Sequence, residues 1–341
     1  MIKVFFPKIN CRSEIRGIGF YTQFLIQNLQ LLSQFKLVAS AKEADIVHYT
    51  FFDFYFPTLK IYPLKKNLVT IHDTIPLIFK KQYPCGVRGF FNFLKQKNNL
   101  RKVDHFITDS FHSAQDLHRY LKIKKNKITT TYLAGNPHLK IPTKNEIQLI
   151  EQRFHLPKKY LLYVGDINYN KNLISLILAL KLVDSEIKLI FVGNNFRSQE
   201  IPEWRFIIQA INKNHLQSRV LFINNIEKND WSALSVLYNQ AIAYIQPSLY
   251  EGFGLPMLEA WQCGNLVIAG FNSSLKEIGR EIAFLTKEDS QSLATMITSV
   301  INLTPLERQK KLIQTQKYLN NFSWEKTAQE TFEIYRQVLL K

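Results

Sequence analysis

The sequence predicts an α/β protein made of two doubly wound parallel sheets. Three observations carry this expectation. Apolar strand-like runs alternate with helical patterns along the chain, as they do where parallel strands are joined by crossover helices. The alternation is interrupted at AGNPHLKIPTKN (134–145), with its Pro and Gly marks of a linker, and then begins afresh. A length of 341 residues, 46% of them hydrophobic, suffices for two separate cores.

In the first half the strand candidates are IKVFF (2–6), KLVA (36–39), DIVHY (45–49), NLVTI (67–71), HFIT (105–108) and KITTT (127–131). In the second half they are YLLYVG (160–165), KLIFVG (188–193), VLFIN (220–224), AIAYIQ (241–246) and LVIAG (266–270). The simplest organisation is an N-terminal Rossmann-like domain over 1–140, a linker at about 135–158 and a C-terminal Rossmann-like domain over 159–320. The stretch 322–341 reads as an amphipathic helix with Ser323 as its N-cap.

Composition narrows the function classes. No apolar run approaches the ~18 residues of a membrane span, and MIKVFFPKINCR lacks a signal-peptide hydrophobic region. Cys11, Cys85 and Cys263 are too few and too scattered for a disulfide framework or a zinc site, so a cytoplasmic location is expected. The net charge of +17 is lopsided: residues 1–159 hold 26 Lys and Arg against 10 Asp and Glu, and the remainder 18 against 17. That asymmetry points to an anionic partner for the first half, such as a membrane surface or a polyanionic acceptor, or else to compositional drift. Nucleic acid is not expected, because no interleaved basic–aromatic reader motif accompanies the charge.

The most specific string is PSLYEGFGLPMLEAWQCG (247–264), directly after the strand candidate AIAYIQ. Pro256 suits the first turn of a helix, where no N–H is needed. The string therefore lies at the carboxyl end of a strand on a turn that opens a helix, which is where open α/β sheets bind ligands. Gly252 and Gly254 allow close backbone approach, and the amides of Phe253, Gly254 and Leu255 would face an anion. Glu251 and Glu259, eight positions apart, are expected near one pocket, where carboxylates can accept hydrogen bonds from sugar and ribose hydroxyls. In YVGDINYNKNL (163–173), Gly165 ends a strand, and Lys171 with Asn172 begins a helix; the ammonium adds a point charge suited to a diphosphate.

The 247–264 string resembles the Glu-x7-Glu signature of retaining, nucleotide-sugar-dependent glycosyltransferases of the GT-B fold, specifically glycosyltransferase family 4, the group 1 glycosyl transferases. The resemblance covers nearly the whole chain, most strongly 160–285. It implies two Rossmann-like domains facing each other across a cleft, with the C-terminal helix crossing back to the first. Gly165, Lys171 and Asn172 look like the family's Gly…Lys-Asn element, whose Lys binds the diphosphate. Many members carry Arg just after that Gly or just before that Lys, whereas this chain has Asp166 and Asn170. His72 and Asp73 in NLVTIHDTIPL resemble the family's His-Asp facing the sugar, which places Asp73 on the acceptor side together with Gly17 and Gly19, similar to the family's Gly-x-Gly turn. FNSSLKEIG (271–279) is similar to a Ser-Ser-Leu-Pro-Glu element, with Lys276 in place of Pro and Glu277 retained; Leu266 likewise replaces a common Pro.

The implied activity is transfer of a hexose-type sugar from a nucleotide diphosphate sugar to a saccharide or lipid-linked acceptor in bacterial surface polysaccharide assembly. Glu251, His72 and Lys171 would form the catalytic set. No Asp-x-Asp motif occurs, so no metal and no further cofactor are expected. The rival is a catalytically weak GT-B subunit that binds a partner or a membrane. GVRGFFNFLKQKNNLRK (86–102) places Val87, Phe90, Phe91 and Leu94 on one helix side, either to enter a membrane surface peripherally or to pack in the core.

Overall fold

The computed structural model of the chain describes residues 1–7 and 17–340. The chain divides into two compact units, Met1–Ala134 with Phe322–Lys341, and Gly135–Asn321. The first contains β1 (Ile2–Phe5), α1 (Gly17–Leu29), β2 (Phe35–Leu37), β3 (Ile46–Tyr49), β4 (Lys66–Thr70), α2 (Ile75–Ile78), α3 (Gly86–Leu100), β5 (His105–Thr108), α4 (Phe111–Leu121) and β6 (Ile128–Thr130). The second runs α5 (Lys144–Phe154), β7 (Tyr160–Val164), α6 (Leu173–Leu182), β8 (Lys188–Val192), α7 (Pro202–Lys213), β9 (Val220–Ile223), α8 (Trp231–Gln240), β10 (Ala243–Gln246), α9 (Leu255–Gln262), β11 (Val267–Gly270), α10 (Ser273–Gly279), β12 (Phe284–Thr286), α11 (Ser290–Ile301) and α12 (Pro305–Leu319). The chain then returns to the first unit as α13 (Trp324–Leu339).

Among the described residues each unit holds one six-stranded sheet, ordered β2-β1-β3-β4-β5-β6 and β12-β11-β10-β7-β8-β9, and the paired strands are parallel. Helices on both faces explain why the central strands are continuous apolar runs, buried at every position in β3, β5, β10 and β11. In the second unit Leu161, Tyr163, Leu189, Phe191, Ile245 and Ile268 share one core with Leu176, Ile177 and Leu180 of α6. Two details differ from the sequence reading. The strand β12 went unread because three residues, FLT, give too short a periodic signal. Within the stretch read as a linker, α5 forms on a Thr143–Glu146 capping box and packs Ile150 against Ala233 and Val236.

The last helix belongs to the first unit, where α13 packs along α1. Trp324 lies 5.3 Å ring to ring from Phe24, and the Thr327 hydroxyl donates to the Tyr132 carbonyl at 2.6 Å. Deeper in, His48 of β3 is completely buried between two hydroxyls, with Nδ1 2.7 Å from Tyr335 of α13 and Nε2 2.8 Å from Thr70 of β4. The Tyr21 hydroxyl of α1 lies 3.0 Å from that of Thr70, which completes a buried polar chain. Burial, aided by the field of His72, pushes His48 down to about 3, so it sits in the core as a neutral ring. No described helix is long and apolar enough to cross a membrane.

Replacing Tyr335 by Phe removes one hydroxyl and leaves His48 Nδ1 buried without its partner, at a cost of about 1–3 kcal/mol. Thermal unfolding should show a lowered midpoint; a midpoint equal to wild type would refute the structural weight given to this contact.

Candidate functional site

The second sheet changes direction between β7 and β10: the chain winds outward from β7 through β8 and β9, then resumes on β7's other side with β10, β11 and β12. Loops leaving two such strands diverge and open a crevice at their carboxyl ends. The segment after β7 carries Gly165 and Lys171, and the one after β10 carries Glu251. Lys171 and Glu251 meet there, Nζ to Oε1, at 2.7 Å, with side chains 19% and 10% exposed.

Side-chain amides hold the two segments in register. Asn170 is buried; its carbonyl accepts from the Leu249 amide at 2.7 Å, and its Nδ2 donates to the Tyr250 carbonyl at 3.1 Å. Asn172 sits at φ 54°, a left-handed conformation that Asn tolerates, between a single 3-10 turn and α6. Its Nδ2 donates to the carbonyls of Pro247 (3.1 Å) and Glu288 (2.7 Å), while Oδ1 accepts from the Ser175 hydroxyl (2.8 Å). The Asn172 side chain, expected to contact a donor, is thus occupied in binding loops together. Asn170 fills a position where an Arg was anticipated by resemblance, and it faces the neighbouring loop.

Glu251 is held from both sides. The Glu251 amide donates to Ser273 Oγ at 3.0 Å and its carbonyl accepts from Ser274 Oγ at 2.9 Å, which gives the Ser-Ser pair at the start of α10 a definite task. Besides Lys171, Oε1 accepts from Ser248 Oγ at 2.6 Å and from Gln246 Nε2 at 3.1 Å. Gly254 caps α9 at φ 101°, and a Cβ there would lie 2.9 Å from the Leu275 side chain. Only glycine fits without displacing that leucine. Pro256 stands in the first turn as expected, and the amides of Phe253, Gly254 and Leu255 lie at the amino end of α9.

Glu259 takes a different setting, one turn into α9. It is partly buried and accepts from the Tyr238 hydroxyl at 3.1 Å. Burial pushes its carboxyl up to about 7, with the Tyr238 bond acting in the opposite sense. Among the described residues the two glutamates share no hydrogen-bond partner, although the buried Tyr244 hydroxyl, pushed up by burial, feels both carboxylates.

In the first unit, His72 follows β4, and its Nδ1 lies 2.6 Å from Asp109 Oδ2, just past β5. Nε2 lies 3.0 Å from the Thr50 carbonyl, and the Tyr21 ring meets the imidazole edge-on at 4.8 Å. Burial opposes charge here, but the Asp109 carboxylate outweighs it and holds His72 above its ordinary value. Both ring nitrogens are therefore engaged with protein acceptors. Asp73, placed on the acceptor side by resemblance, accepts from the Ile75 amide at 2.9 Å and starts α2. Gly17 and Gly19 occupy the first turn of α1, and the residues just before them lie outside the described part. Asp109 was missed by sequence reasoning. Its signal was available in HFITDS, an acid at the end of a buried strand.

The sequence model of the family described as "Glycosyl transferases group 1" matches residues 145–318. The chain is 27% identical over 282 residues to a serotype-specific mannosyltransferase, WbdA, of Escherichia coli, covering 80% of this chain and 34% of that protein. It therefore spans about a third of the length of that relative. An O-antigen chain mannosyltransferase B of Escherichia coli is 23% identical, covering 97% of this chain and 87% of its own length. Among solved structures, sucrose-phosphate synthase from Thermosynechococcus elongatus superposes with a TM-score of 0.78 at 18% identity, covering the whole of both chains. At that identity the likeness carries the fold alone, and the expected GT-B fold is borne out.

The shift at Glu259 has a sign. An unfolded carboxylate loses its proton near its ordinary value of 4.5, whereas folded Glu259 keeps its proton until about 7. The folded state thus binds more protons over this window, and stability from this group falls as pH rises through it. Glu259→Gln should flatten that part of a plot of thermal midpoint against pH; an unchanged slope would contradict the assignment.

Proposed function

The chain belongs to the glycosyl transferases group 1 family, and we propose that it moves a hexose, mannose foremost, from a nucleoside diphosphate to a saccharide or lipid-linked acceptor with retention of configuration. The observation that carries this reading is the Lys171–Glu251 pair, fixed at the switch point of a Rossmann-like sheet beside the amino end of α9. One cation, one carboxylate and a set of helix-end amides match the parts of a nucleotide sugar. Lys171 and the amides of Phe253 to Leu255 answer the diphosphate. Glu251, whose Oε2 receives no hydrogen bond from a described residue, accepts sugar hydroxyls, and Glu259 accepts from the ribose. Gly165 leaves room where the chain quits β7: a Cβ there would sit 2.8 Å from the Tyr163 hydroxyl.

In the proposed step the bond from the sugar's anomeric carbon to the departing phosphate oxygen breaks while the acceptor oxygen bonds to the same face. The acceptor's proton passes to the leaving phosphate. Charge grows on that phosphate, so a preorganised ammonium and amides lower the barrier more than they stabilise the bound donor. No metal ion takes part in this scheme. Mannose is favoured by the names of the two Escherichia coli relatives, and the O-antigen chain named for one of them supports a role in bacterial surface polysaccharide assembly. His72, held above its ordinary value by Asp109, follows β4 in the first unit; it reaches a sugar hydroxyl only by releasing the Thr50 carbonyl. The reading as a catalytically weak subunit rests on the missing arginine and the basic first half; at Asn170, one of the two positions concerned, the buried loop-holding role gives the substituted residue a task of its own.

Glu251→Ala and Lys171→Ala should each lower turnover at least ~100-fold, the scale of losing a transition-state donor. Wild-type rates in either variant would sink the assignment. A thermal-shift panel of UDP-, GDP- and ADP-linked mannose and glucose should show one selective donor, with stabilisation of roughly 2.7 kcal/mol at a hundredfold excess over its Kd. Proton NMR of the product's anomeric centre tests retention.

A further inference from the structure

Helix α3 of the first unit is apolar on two sides. Its inward side puts Leu100 in the core and Phe93 against Phe54 and Tyr55, and is pinned by amides: Gln96 is buried and donates through Nε2 to the carbonyls of Asp53 (2.7 Å) and Phe56 (2.6 Å), while its Oε1 accepts from the Leu59 amide at 3.3 Å. Asn92 donates to the Tyr55 carbonyl at 2.9 Å, and Asn99 to the Leu59 carbonyl at 3.0 Å. These bonds fix the helix's rotation, and what they turn outward is apolar. Val87, Phe90, Phe91 and Leu94, spaced i, i+3, i+4 and i+7, are 78%, 50%, 64% and 48% exposed. A free-standing soluble surface rarely shows such a stripe unless something covers it.

The surroundings identify the cover. From Thr74 to Val103 the chain carries seven Lys and Arg and no acidic residue. Lys95, next to the stripe, also lines a groove of about 1080 Å³ with Lys60, Lys65, Lys66 and Lys102. Asp45 and Asp104 line it too, and both are engaged: Asp45 accepts from the Lys3 amide and Asp104 from the Asn67 amide, each at 2.8 Å. A second protein would need a matching acidic rim around an apolar pocket, whereas a bilayer with anionic headgroups offers both requirements over any area. We propose that α3 docks the first unit on an anionic lipid surface, its aromatic stripe entering the acyl boundary and the flanking lysines meeting headgroup phosphates.

The test is co-sedimentation of the full chain with vesicles of phosphatidylcholine alone or with about 30% phosphatidylglycerol, which gives a strongly anionic surface. Binding should require the anionic lipid and weaken in high salt. Phe90→Ser/Phe91→Ser should reduce partitioning at least ~10-fold with the thermal midpoint unchanged, since both rings are exposed. Lys95→Glu should reduce it through charge alone. Equal binding of the double variant and wild type would overturn the proposal. So would light scattering that shows a dimer dissolved by the same substitutions, because the stripe would then be covered by a second copy. Inorganic phosphate that blocks vesicle binding fully at low millimolar concentration would also overturn it, as the groove would be a free-anion site. Donor hydrolysis without vesicles should match wild type in the double variant, which separates this proposal from the assignment of the transfer site.

Discussion

Two asparagine side chains set the geometry of the second unit's chemistry. Asn170 and Asn172 flank Lys171 and bind the backbone of the loop that bears Glu251, at Tyr250 and Pro247 respectively. Loops leaving neighbouring strands at a switch point diverge by construction, so a cation on one and a carboxylate on the other meet only if something draws them together. Amide-to-carbonyl bonds do this without adding charge to the crevice. A further arginine in the place of Asn170 would have to be buried at that seam, where an unpaired cation is costly. The ion pair follows from the amide bonds, and so does the cradle for Glu251 formed with Ser273 and Ser274.

The pair itself is locally neutral. A cation 2.7 Å from a carboxylate in a largely shielded site is neutralised until a ligand with more negative charge draws it away. Glu251 keeps Ser248 and Gln246 as donors on the same oxygen, so its carboxylate stays supported if Lys171 is drawn away, as the proposed diphosphate binding requires. The first unit handles charge differently. There His72 and Asp109 form an intimate pair under Tyr21, while His48, a few residues away in the sheet, is kept neutral between hydroxyls. Two imidazoles in one core are thus shifted in opposite directions, decided by whether an acid or an alcohol faces them.

Much of this was legible in the sequence, and the limits have physical reasons. Buried parallel strands announce themselves as apolar runs, so all but the three-residue β12 were found. The string from Pro247 to Gly264 revealed a strand end, a glycine turn and a helix start because each uses a residue with restricted backbone behaviour. The partners of those residues were not legible. Asn170 and Tyr250 are 80 positions apart, and no local spacing says that an amide at one will hold a carbonyl at the other. Asp109 was visible as an acid at a strand end, but its pairing with His72, 37 residues away, was hidden in the same way. The outward stripe of α3 was visible as a pattern, but its direction depended on three amide side chains that a hydrophobic periodicity ignores.

The division of the chain into an interrupted first unit and a continuous second one also governs the order of assembly. The second unit, Gly135–Asn321, is a single uninterrupted segment and can close its core as soon as it has left the ribosome. The first cannot, because the hydroxyl that His48 awaits is carried by Tyr335, 287 residues later. At about 5–20 residues per second this separation leaves the β3–β4 core without its last helix for tens of seconds. During that interval the groove along α1 that α13 will fill, including the faces of Tyr21 and Phe24 that receive Trp324, stands open. Nascent chains are thus exposed to misassembly at the first unit long after most of it has been synthesised, and a chaperone that shields that groove would act on it until α13 emerges.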